Sequence, residues 1–297
     1  MGQAAFVDRG GEGGREQKNG EGFMTGDALL RLSTFVGVMG AMAYWELLVP
    51  RRPLVTAKLP RWVANLSVVA LDTLLVRVLF AAGAVGMAAF AAEQGWGLLN
   101  RVDWPPWIEL ALALVALDLV LYLQHVMFHA APLLWRVHMM HHADLDVDVT
   151  TGARFHPVEV ALSMLIRLAA VTVIGPAPTA VIAFEVLLNA TSLFNHSNVR
   201  IPNTMERVLR WIVVTPDMHR IHHSTDRRET NRNFGFNLPW WDYLFGTYRA
   251  EPAQGHDRMT LGVEHYRDPG RLALVGMLLL PFVAEPGNYP LGRANSD

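Results

Sequence analysis

The stretch "LYLQHVMFHAAPLLWRVHMMHH", residues 121–142, decides the fold of this chain. It joins the end of a long apolar run to a segment that is crowded with histidine. His125 and His129 are four residues apart, and His138, His141 and His142 follow as a His-x-x-His-His block. Residues three and four apart share a face of an α-helix. The spacing therefore predicts two helices that present imidazoles to one region, with all three histidines of the block pointing to one side.

A second His-x-x-His-His block lies in "MHRIHHS", residues 218–224, and contains His219, His222 and His223. Thr215 and Pro216 precede it, which is typical of a helix start with Thr at the cap and Pro at the first helical position. The two blocks and the earlier pair predict eight imidazoles gathered from three helical segments. Because a structural zinc ion takes about four ligands and a catalytic one about three, eight imidazoles indicate two metal ions.

Further polar residues are candidates for the same site. His196, at the exit of a later apolar run, is expected to be a ninth ligand. His156, Asn189 and Asp217 are weaker candidates, either as ligands or as partners of ligands. Asp118 lies seven residues before His125 and so on the same helical face, where it is expected to accept a ring N–H and fix an imidazole. His256 and His265 lie in a polar region and are expected at the surface.

The composition indicates a membrane protein, since 52% of the 297 residues are hydrophobic. About 20 apolar residues span a bilayer as a helix. The apolar runs are Ala28–Leu48, Val68–Ala92, Trp107–Phe128, Val158–Ile174 and Pro178–Phe194. They predict an all-α integral membrane fold, a bundle of about four to five transmembrane or re-entrant helices capped by the histidine-rich site. A last run, Leu272–Val283, is too short to span and is expected to be interfacial.

Four segments follow from this pattern: a disordered N-terminal tail (1–24), N-terminal transmembrane helices (25–104), a catalytic domain (105–250) and a C-terminal tail (251–297). Lysine and arginine are concentrated in the first loop and in the segments that carry both His-x-x-His-His blocks. Positive residues favour the cytoplasmic side, so the histidine site is predicted to be cytoplasmic.

Composition also excludes several kinds of site. The chain contains no cysteine, which excludes thiolate zinc sites, iron–sulfur clusters and disulfides within it. Its net charge of −2 argues against a nucleic-acid partner. Any metal must therefore be held by nitrogen and oxygen.

These residues resemble the three histidine boxes of the fatty acid hydroxylase/sterol desaturase superfamily. The boxes correspond to His125-x-x-x-His129, His138-x-x-His141-His142 and His219-x-x-His222-His223, and Asp118, Tyr122 and His125 match the Asp-x-x-x-Tyr-x-x-His lead-in. "RFHPVE", "FNHSNVRIP" and "NFGFNLPWWDYLFGTY" are similar to bacterial sterol desaturase-type members. The last of these is expected to form an ordered loop beneath the second box, or part of an interfacial aromatic belt. Val126 departs from the family's frequent Arg, and Asp217 from its frequent Glu.

The resemblance implies two non-haem iron ions, O₂ as co-substrate and a lipid whose unactivated C–H bond is hydroxylated or desaturated. The three-residue gap in the first box leans toward hydroxylation. Because no motif in the chain carries electrons, a separate electron-transfer protein or reductase must dock. An arginine-rich face could attract such a donor or anionic lipid headgroups: Arg200, Arg207, Arg210, Arg227, Arg228 and Arg232. A bacterial inner membrane is the expected location, and the oligomeric state stays open.

Two other function classes also fit a histidine-rich membrane chain. A metal transporter or storage protein is one, although transport sites lie near the bilayer midplane and these histidines lie at one end of the spans. A haem protein with axial histidines is the other, and it would leave most of the histidines unexplained.

Overall fold

Helices account for all the regular secondary structure of the computed structural model, which describes residues 13–291, with side chains from residue 26 onward. The α-helices are α1 (Gly13–Leu48), α2 (Lys58–Leu79), α3 (Gly83–Glu93), α4 (Pro106–Ala130), α5 (Pro132–His142), α6 (Pro157–Ile174), α7 (Pro178–Asn195), α8 (Asn203–Leu209), α9 (Pro216–His222), α10 (Arg227–Thr230), α11 (Trp240–Leu244) and α12 (Leu274–Val283). Short 3-10 helices cover Leu99–Arg101, Val149–Ala153 and Pro269–Leu272. Within the described range the chain forms isolated β-bridges but no strand, which confirms the predicted all-α fold.

Four segments of the described chain are long and apolar enough to cross a membrane: Gly26–Leu48, Lys58–Glu93, Pro106–Ala130 and Pro157–Ile174. They agree with the predicted bundle. The predicted fifth span, α7, is not among these four and buries much of its surface, including Val181 and Phe184, inside the protein.

The second predicted span, Val68–Ala92, differs most from the structure. Helix α2 begins ten residues earlier, at Lys58, and the chain bends at Phe80–Ala82 before α3 starts at Gly83 with φ of +57°. Glycine adopts this left-handed conformation without the steric cost of a side chain. The helix begins early because polar residues at its start have partners elsewhere in the fold, so they need not lie in a loop.

Those partners are three alternating aspartates that follow α5. Asp144 lies 2.8 Å from Arg61 of α2, and Asp148 lies 2.7 Å from the same guanidinium group. Asp146 accepts hydrogen bonds from the backbone of Val55 and Thr56. This buried network attaches the start of α2 to the end of α5, and so holds the first His-x-x-His-His block.

The C-terminal region packs more closely than the predicted tail of residues 251–297. Helix α12 lies against α5, and the Tyr289 ring stacks on Trp135 with centroids 5.4 Å apart. The backbone N–H of Leu291 donates to the carbonyl of His129 at 3.0 Å. The apolar run of α12 is therefore partly internal, with Met277 and Leu280 buried.

The predicted disordered tail, residues 1–24, lies before the first residue whose side chain the structure describes. Residues 1–12 and 292–297 lie outside the described residues, and α1 begins at Gly13, inside the predicted tail and well before Ala28.

Candidate metal centre

Nine buried histidines form two groups in which the offered ring nitrogens all lie within 4.8 Å of one another. The first cluster contains His125, His129, His138, His142 and His222. The second cluster contains His141, His196, His219 and His223. These are the nine histidines that the sequence analysis selected as ligands, so the fold brings all of them together.

Each His-x-x-His-His block divides between the clusters. His138 and His142 belong to the first cluster, whereas His141 belongs to the second. In the second block the assignment is reversed: His219 and His223 belong to the second cluster, and the middle residue, His222, belongs to the first. With 3.6 residues per turn, the middle histidine of a block lies about 100° around the helix from the last one. The three rings of the first block still face one region, with centroids 4.8–5.4 Å apart, but they divide between the two adjacent clusters.

Ring tautomers can be assigned from the acceptors that face Nδ1. His125 Nδ1 donates to the Phe234 carbonyl at 2.8 Å, and His222 Nδ1 donates to the Arg232 carbonyl at 2.8 Å. A carbonyl oxygen only accepts, so Nε2 of each ring carries a lone pair. The two Nε2 atoms nevertheless lie 3.0 Å apart.

The same arrangement occurs in the second cluster. His141 Nδ1 donates to the Arg154 carbonyl at 3.1 Å, and His196 Nδ1 donates to the Ser192 carbonyl at 2.7 Å. Their Nε2 atoms lie 3.1 Å apart. Two lone pairs this close repel each other unless a cation lies between them. Since imidazole nitrogens bind zinc at about 2.0–2.1 Å, such spacings fit two ligands of one metal ion, and the residues present fit one ion in each cluster.

Burial keeps the imidazoles outside the membrane spans neutral. Loss of solvation lowers the pKa of His196 to about 4 and that of His222 to about 3. Burial also holds the pKa of His141, His142 and the other histidines of the second block well below its usual range. Neutral rings have the lone pairs that metal binding requires.

A cavity of about 300 Å³ lies between the helices and reaches both clusters. His125 and His138 of the first cluster and His141 of the second line it. The rest of its wall comes from α1, α2, α4, α6 and α7, together with Gly152, Ala153, Phe155 and Phe236, and it is mainly apolar. The volume is at the lower end of ordinary ligand pockets, so the cavity can bring an apolar chain next to both clusters.

Residues 110–247 match the sequence model of the fatty acid hydroxylase family. They form a fatty acid hydroxylase domain. All nine histidines of the two clusters lie within this domain.

Curated relatives support the same assignment. The chain is 33% identical over 151 residues to ornithine lipid hydroxylase OlsE of Rhizobium tropici, covering 50% of this chain and 44% of the relative. It is 29% identical over 173 residues to human alkylglycerol monooxygenase, with 58% and 36% covered. It is 27% identical over 175 residues to very-long-chain aldehyde decarbonylase GL1-1 of Oryza sativa subsp. indica, with 54% and 28% covered. The chain thus spans less than half the length of each of these relatives. No solved structure shows a significant match.

Two side chains that hold histidine rings of the first cluster were not selected from the sequence. His138 Nδ1 donates to Glu159 Oε1 at 2.7 Å, and His129 Nδ1 donates to Asn231 Oδ1 at 3.2 Å. The Asn231 amide is itself oriented by a bond from Nδ2 to the Tyr289 carbonyl. An acidic residue in the first turn of an apolar helix was the available signal for Glu159, whereas Asn231 lies in a polar stretch without one.

Asp118 and Tyr122 do not bond to any of the histidines; they bond to a segment that contacts them. Asp118 accepts from Trp241 Nε1 at 2.8 Å and from the Leu238 backbone at 3.3 Å, and not from His125. The Tyr122 hydroxyl and the Thr247 hydroxyl share a hydrogen bond, with their oxygens 2.8 Å apart. The expectation that Asp118 fixes an imidazole was therefore wrong. Both residues instead hold the loop that supplies the Phe234 carbonyl to His125.

That loop, residues 233–248, is ordered as expected but packs elsewhere than predicted. The Phe234 ring contacts His125, His129 and His222, and the Phe236 ring contacts His125, His196 and His219. It therefore covers the first and third boxes rather than the second. Trp241 is buried, whereas Trp240 is 46% exposed.

The weaker candidates lie outside both clusters. His156 caps α6 by accepting from the Val158 backbone at 3.1 Å. Asn189 lines the cavity. Asp217 pairs with Arg51 and Arg220, and Arg51 Nε lies 3.2 Å from its Oδ1. His256, expected at the surface, is buried 3.7 Å from Asp217, whereas His265 is exposed as expected.

The arginine-rich face is divided by the fold. Arg210 is buried in an ion pair with Glu206 at 2.9 Å. Three arginines of the predicted face line a groove of about 840 Å³ beside Leu123 and Phe245: Arg227, Arg228 and Arg232. Arg249, which was not among the predicted residues, lines it too.

Proposed function

We propose that this chain is an integral-membrane, O₂-dependent, non-haem diiron oxidoreductase that hydroxylates or desaturates an unactivated C–H bond of a lipid. The observation that carries the proposal is the close pair of Nε2 lone pairs within each of two histidine clusters that border one mainly apolar cavity. The proposal accounts for two metal sites and for a lipid chain beside them.

In this proposal each cluster holds one iron ion. His125, His129, His138, His142 and His222 bind one ion, and His141, His196, His219 and His223 bind the other. When bound, the two ions supply the oxidising power that cleavage of an unactivated C–H bond by O₂ requires. The chain's own residues hold the rings in the tautomer that leaves Nε2 free.

The cavity would bind and orient the lipid and exclude water from the clusters. Phe155 stacks on His141 with ring centroids 4.5 Å apart, and Phe128 and Phe236 line the same cavity. Exclusion of water prevents side reactions of a strongly oxidising site. The C–H bond that reacts is then the one that the cavity holds next to the histidines.

Hydroxylation is the outcome that we favour. Two of the relatives named above are a lipid hydroxylase and a monooxygenase, and both names refer to lipids with polar headgroups. We therefore propose a lipid of that general kind as the substrate. The plant relative carries the name of an aldehyde decarbonylase, so related domains reach other outcomes.

Electrons would come from a separate protein, since the chain has no cysteine to hold an iron–sulfur centre. An acidic donor would suit the arginine-lined groove. Anionic lipid headgroups would suit it as well, and we favour them because the groove borders Leu123 and Phe245, which are exposed apolar side chains. We further propose a bacterial inner membrane with the clusters on the cytoplasmic side.

The test is iron content with Mössbauer spectroscopy on protein enriched in ⁵⁷Fe and purified at low oxygen. We expect two nitrogen-ligated irons per chain. His142→Ala and His223→Ala should each lower iron to about one per chain, because each removes a ligand of a different cluster. His265→Ala, at an exposed site, is the control and should retain both ions. Stoichiometric zinc or a mononuclear iron centre in active protein would contradict the diiron proposal and favour metal transport or storage.

Turnover can be tested before the substrate is known. Cells that produce the protein are grown under ¹⁸O₂, and their lipids are compared by mass spectrometry with those from the His141→Ala variant. A labelled hydroxyl lipid present only with the unaltered protein is the expected result. Equal lipid profiles from both strains would argue against hydroxylation.

A further inference from the structure

A buried carboxylate on α2 has no role in the metal clusters. Asp72 is 8% exposed, and its Oδ1 has no hydrogen-bond partner among the described residues. Arg167, the basic residue of α6 that could reach across to it, pairs with Glu185 at 3.1 Å instead. An acidic residue within a membrane span costs about 2.5–3.5 kcal/mol on insertion scales and is retained for a partner or a function.

Asp72 lines the same cavity that reaches the histidine clusters. Val69, Thr73 and Val76 line it too, so the carboxylate lies on the face of α2 that is turned toward the cavity. Two polar groups of the wall near Asp72 bond within the protein. Gln124 donates to Ser163 at 2.9 Å, and Thr73 donates to the Val69 carbonyl at 2.8 Å. Asp72 therefore offers the cavity an acceptor that the fold does not use.

We propose that Asp72 is a recognition residue for a hydrogen-bond donor, a hydroxyl or an ammonium group, on the lipid that enters the cavity. The proposal rests on the proposed function in taking this cavity as the substrate site. A donor held at Asp72 fixes one point of the lipid relative to His125, His138 and His141, which line the same cavity. Asp72 would then select both the class of lipid and the carbon that is oxidised.

Binding without turnover tests this inference. Purified protein in nanodiscs is photolabelled with a dodecanol that carries a diazirine on its tail, and labelling is quantified by mass spectrometry. Dodecanol, dodecylamine and dodecyl methyl ether compete at equal membrane concentrations. Since a buried acceptor left without a partner costs about 1–3 kcal/mol, the alcohol should compete at least about fivefold better than the ether, which has no donor.

Two variants separate the roles of charge and shape. With the Asp72→Leu variant, the alcohol and the ether should compete equally against the photolabel. Asp72→Asn keeps a carbonyl acceptor of the same shape, so it should retain the alcohol preference and lose any additional preference for the amine. If the amine competes better than the alcohol with the unaltered protein but not with Asp72→Asn, the group recognised on the lipid is an ammonium. If the amine and the alcohol compete equally, it is a hydroxyl. Asp103→Asn, at an exposed loop position, is the control and should behave as the unaltered protein.

The inference is overturned if the unaltered protein is not labelled, if it treats alcohol and ether alike, or if Asp72→Leu keeps the preference. Metal content and size-exclusion profiles of the variants show whether the fold is intact. Because labelling requires neither iron nor O₂, failure of the diiron proposal leaves this measurement valid, and failure here leaves the metal measurement valid.

Discussion

The Nδ1 atom of His138 lies 2.7 Å from Oε1 of Glu159. An ionised carboxylate has no proton to donate and can only accept a hydrogen bond. Glu159 therefore fixes the proton on Nδ1 of His138 and turns Nε2 toward the first cluster. It also increases the basicity of the ring, which strengthens metal binding. Glu159 thereby joins α6 to the candidate metal centre.

Glu159→Ala should weaken metal binding in the first cluster about 10–100-fold, because loss of such a partner has that typical effect. Glu159→Gln should have a smaller effect, since its amide oxygen still accepts from Nδ1. Chelator competition followed by metal analysis measures both. Glu109→Gln is the matched control, because Glu109 accepts from the Ala177 backbone away from the clusters. Unchanged metal affinity in Glu159→Ala would show that the ring is held by other contacts.

Gly152→Ala should impair the second cluster selectively. A Cβ at this position would lie 2.4 Å from the Ser192 carbonyl oxygen, which is the acceptor for His196 Nδ1. The backbone must shift, and His196 moves with it. We expect about one metal ion per chain instead of two. Gly40→Ala, where a Cβ meets nothing within 4 Å, is the control. Two ions retained in Gly152→Ala would mean that α7 adjusts without disturbing His196.

Arg61→Ala should destabilise the protein strongly. It leaves Asp144 and Asp148 as buried carboxylates without this partner, and breaking a buried ion pair costs about 3–5 kcal/mol. Thermal unfolding in detergent, followed by size-exclusion chromatography, measures the loss. Arg271→Ala removes an exposed pair with Asp268 at 3.9 Å and should change stability by less than about 0.5 kcal/mol. Similar unfolding temperatures for the two variants would contradict the role given to the aspartate network.

His256 should make the fold sensitive to acid. Burial lowers its pKa from 6.5 to about 4, so the folded state resists protonation while the unfolded state accepts a proton. Stability from this residue is present above about pH 6.5 and is lost as the pH falls toward about 4. Between about pH 7 and 5.5 the unaltered protein should lose about 1 kcal/mol more than His256→Gln. Unfolding temperatures at both values measure this, with metal content unchanged. An identical acid response in both proteins would place His256 in a more hydrated site than the structure shows.

Much of the fold could be predicted because its signals are local. Pro106, Pro157 and Pro178 begin three helices within one residue of the predicted starts, since proline suits the first helical position. The early start of α2 could not be predicted, because Arg61 is buried by aspartates more than 80 positions away along the chain. Tertiary pairing of this kind leaves no trace in a local hydropathy pattern.

The histidines themselves were predictable from repeated spacing, and their assignment as metal ligands stays a prediction. Two metal sites were predicted, but the assignment of each histidine to one of the two clusters was not, because it depends on the rotation of α5 and α9 about their own axes. The packing of Tyr289 and Leu291 beside the first cluster was equally unforeseen, since a polar C-terminal segment gives no signal of where it folds back.

Four of the nine imidazoles are oriented by main-chain carbonyls, those of Arg154, Ser192, Arg232 and Phe234. Every amino acid carries this acceptor, so these four hydrogen bonds do not themselves depend on which side chain stands at the carbonyl position. For the carbonyls of Arg154, Arg232 and Phe234, which lie outside helices, a one-residue insertion or deletion in the adjoining loop would carry the carbonyl away from its ring. The length of these loops is therefore a requirement for the orientation of His141, His222 and His125.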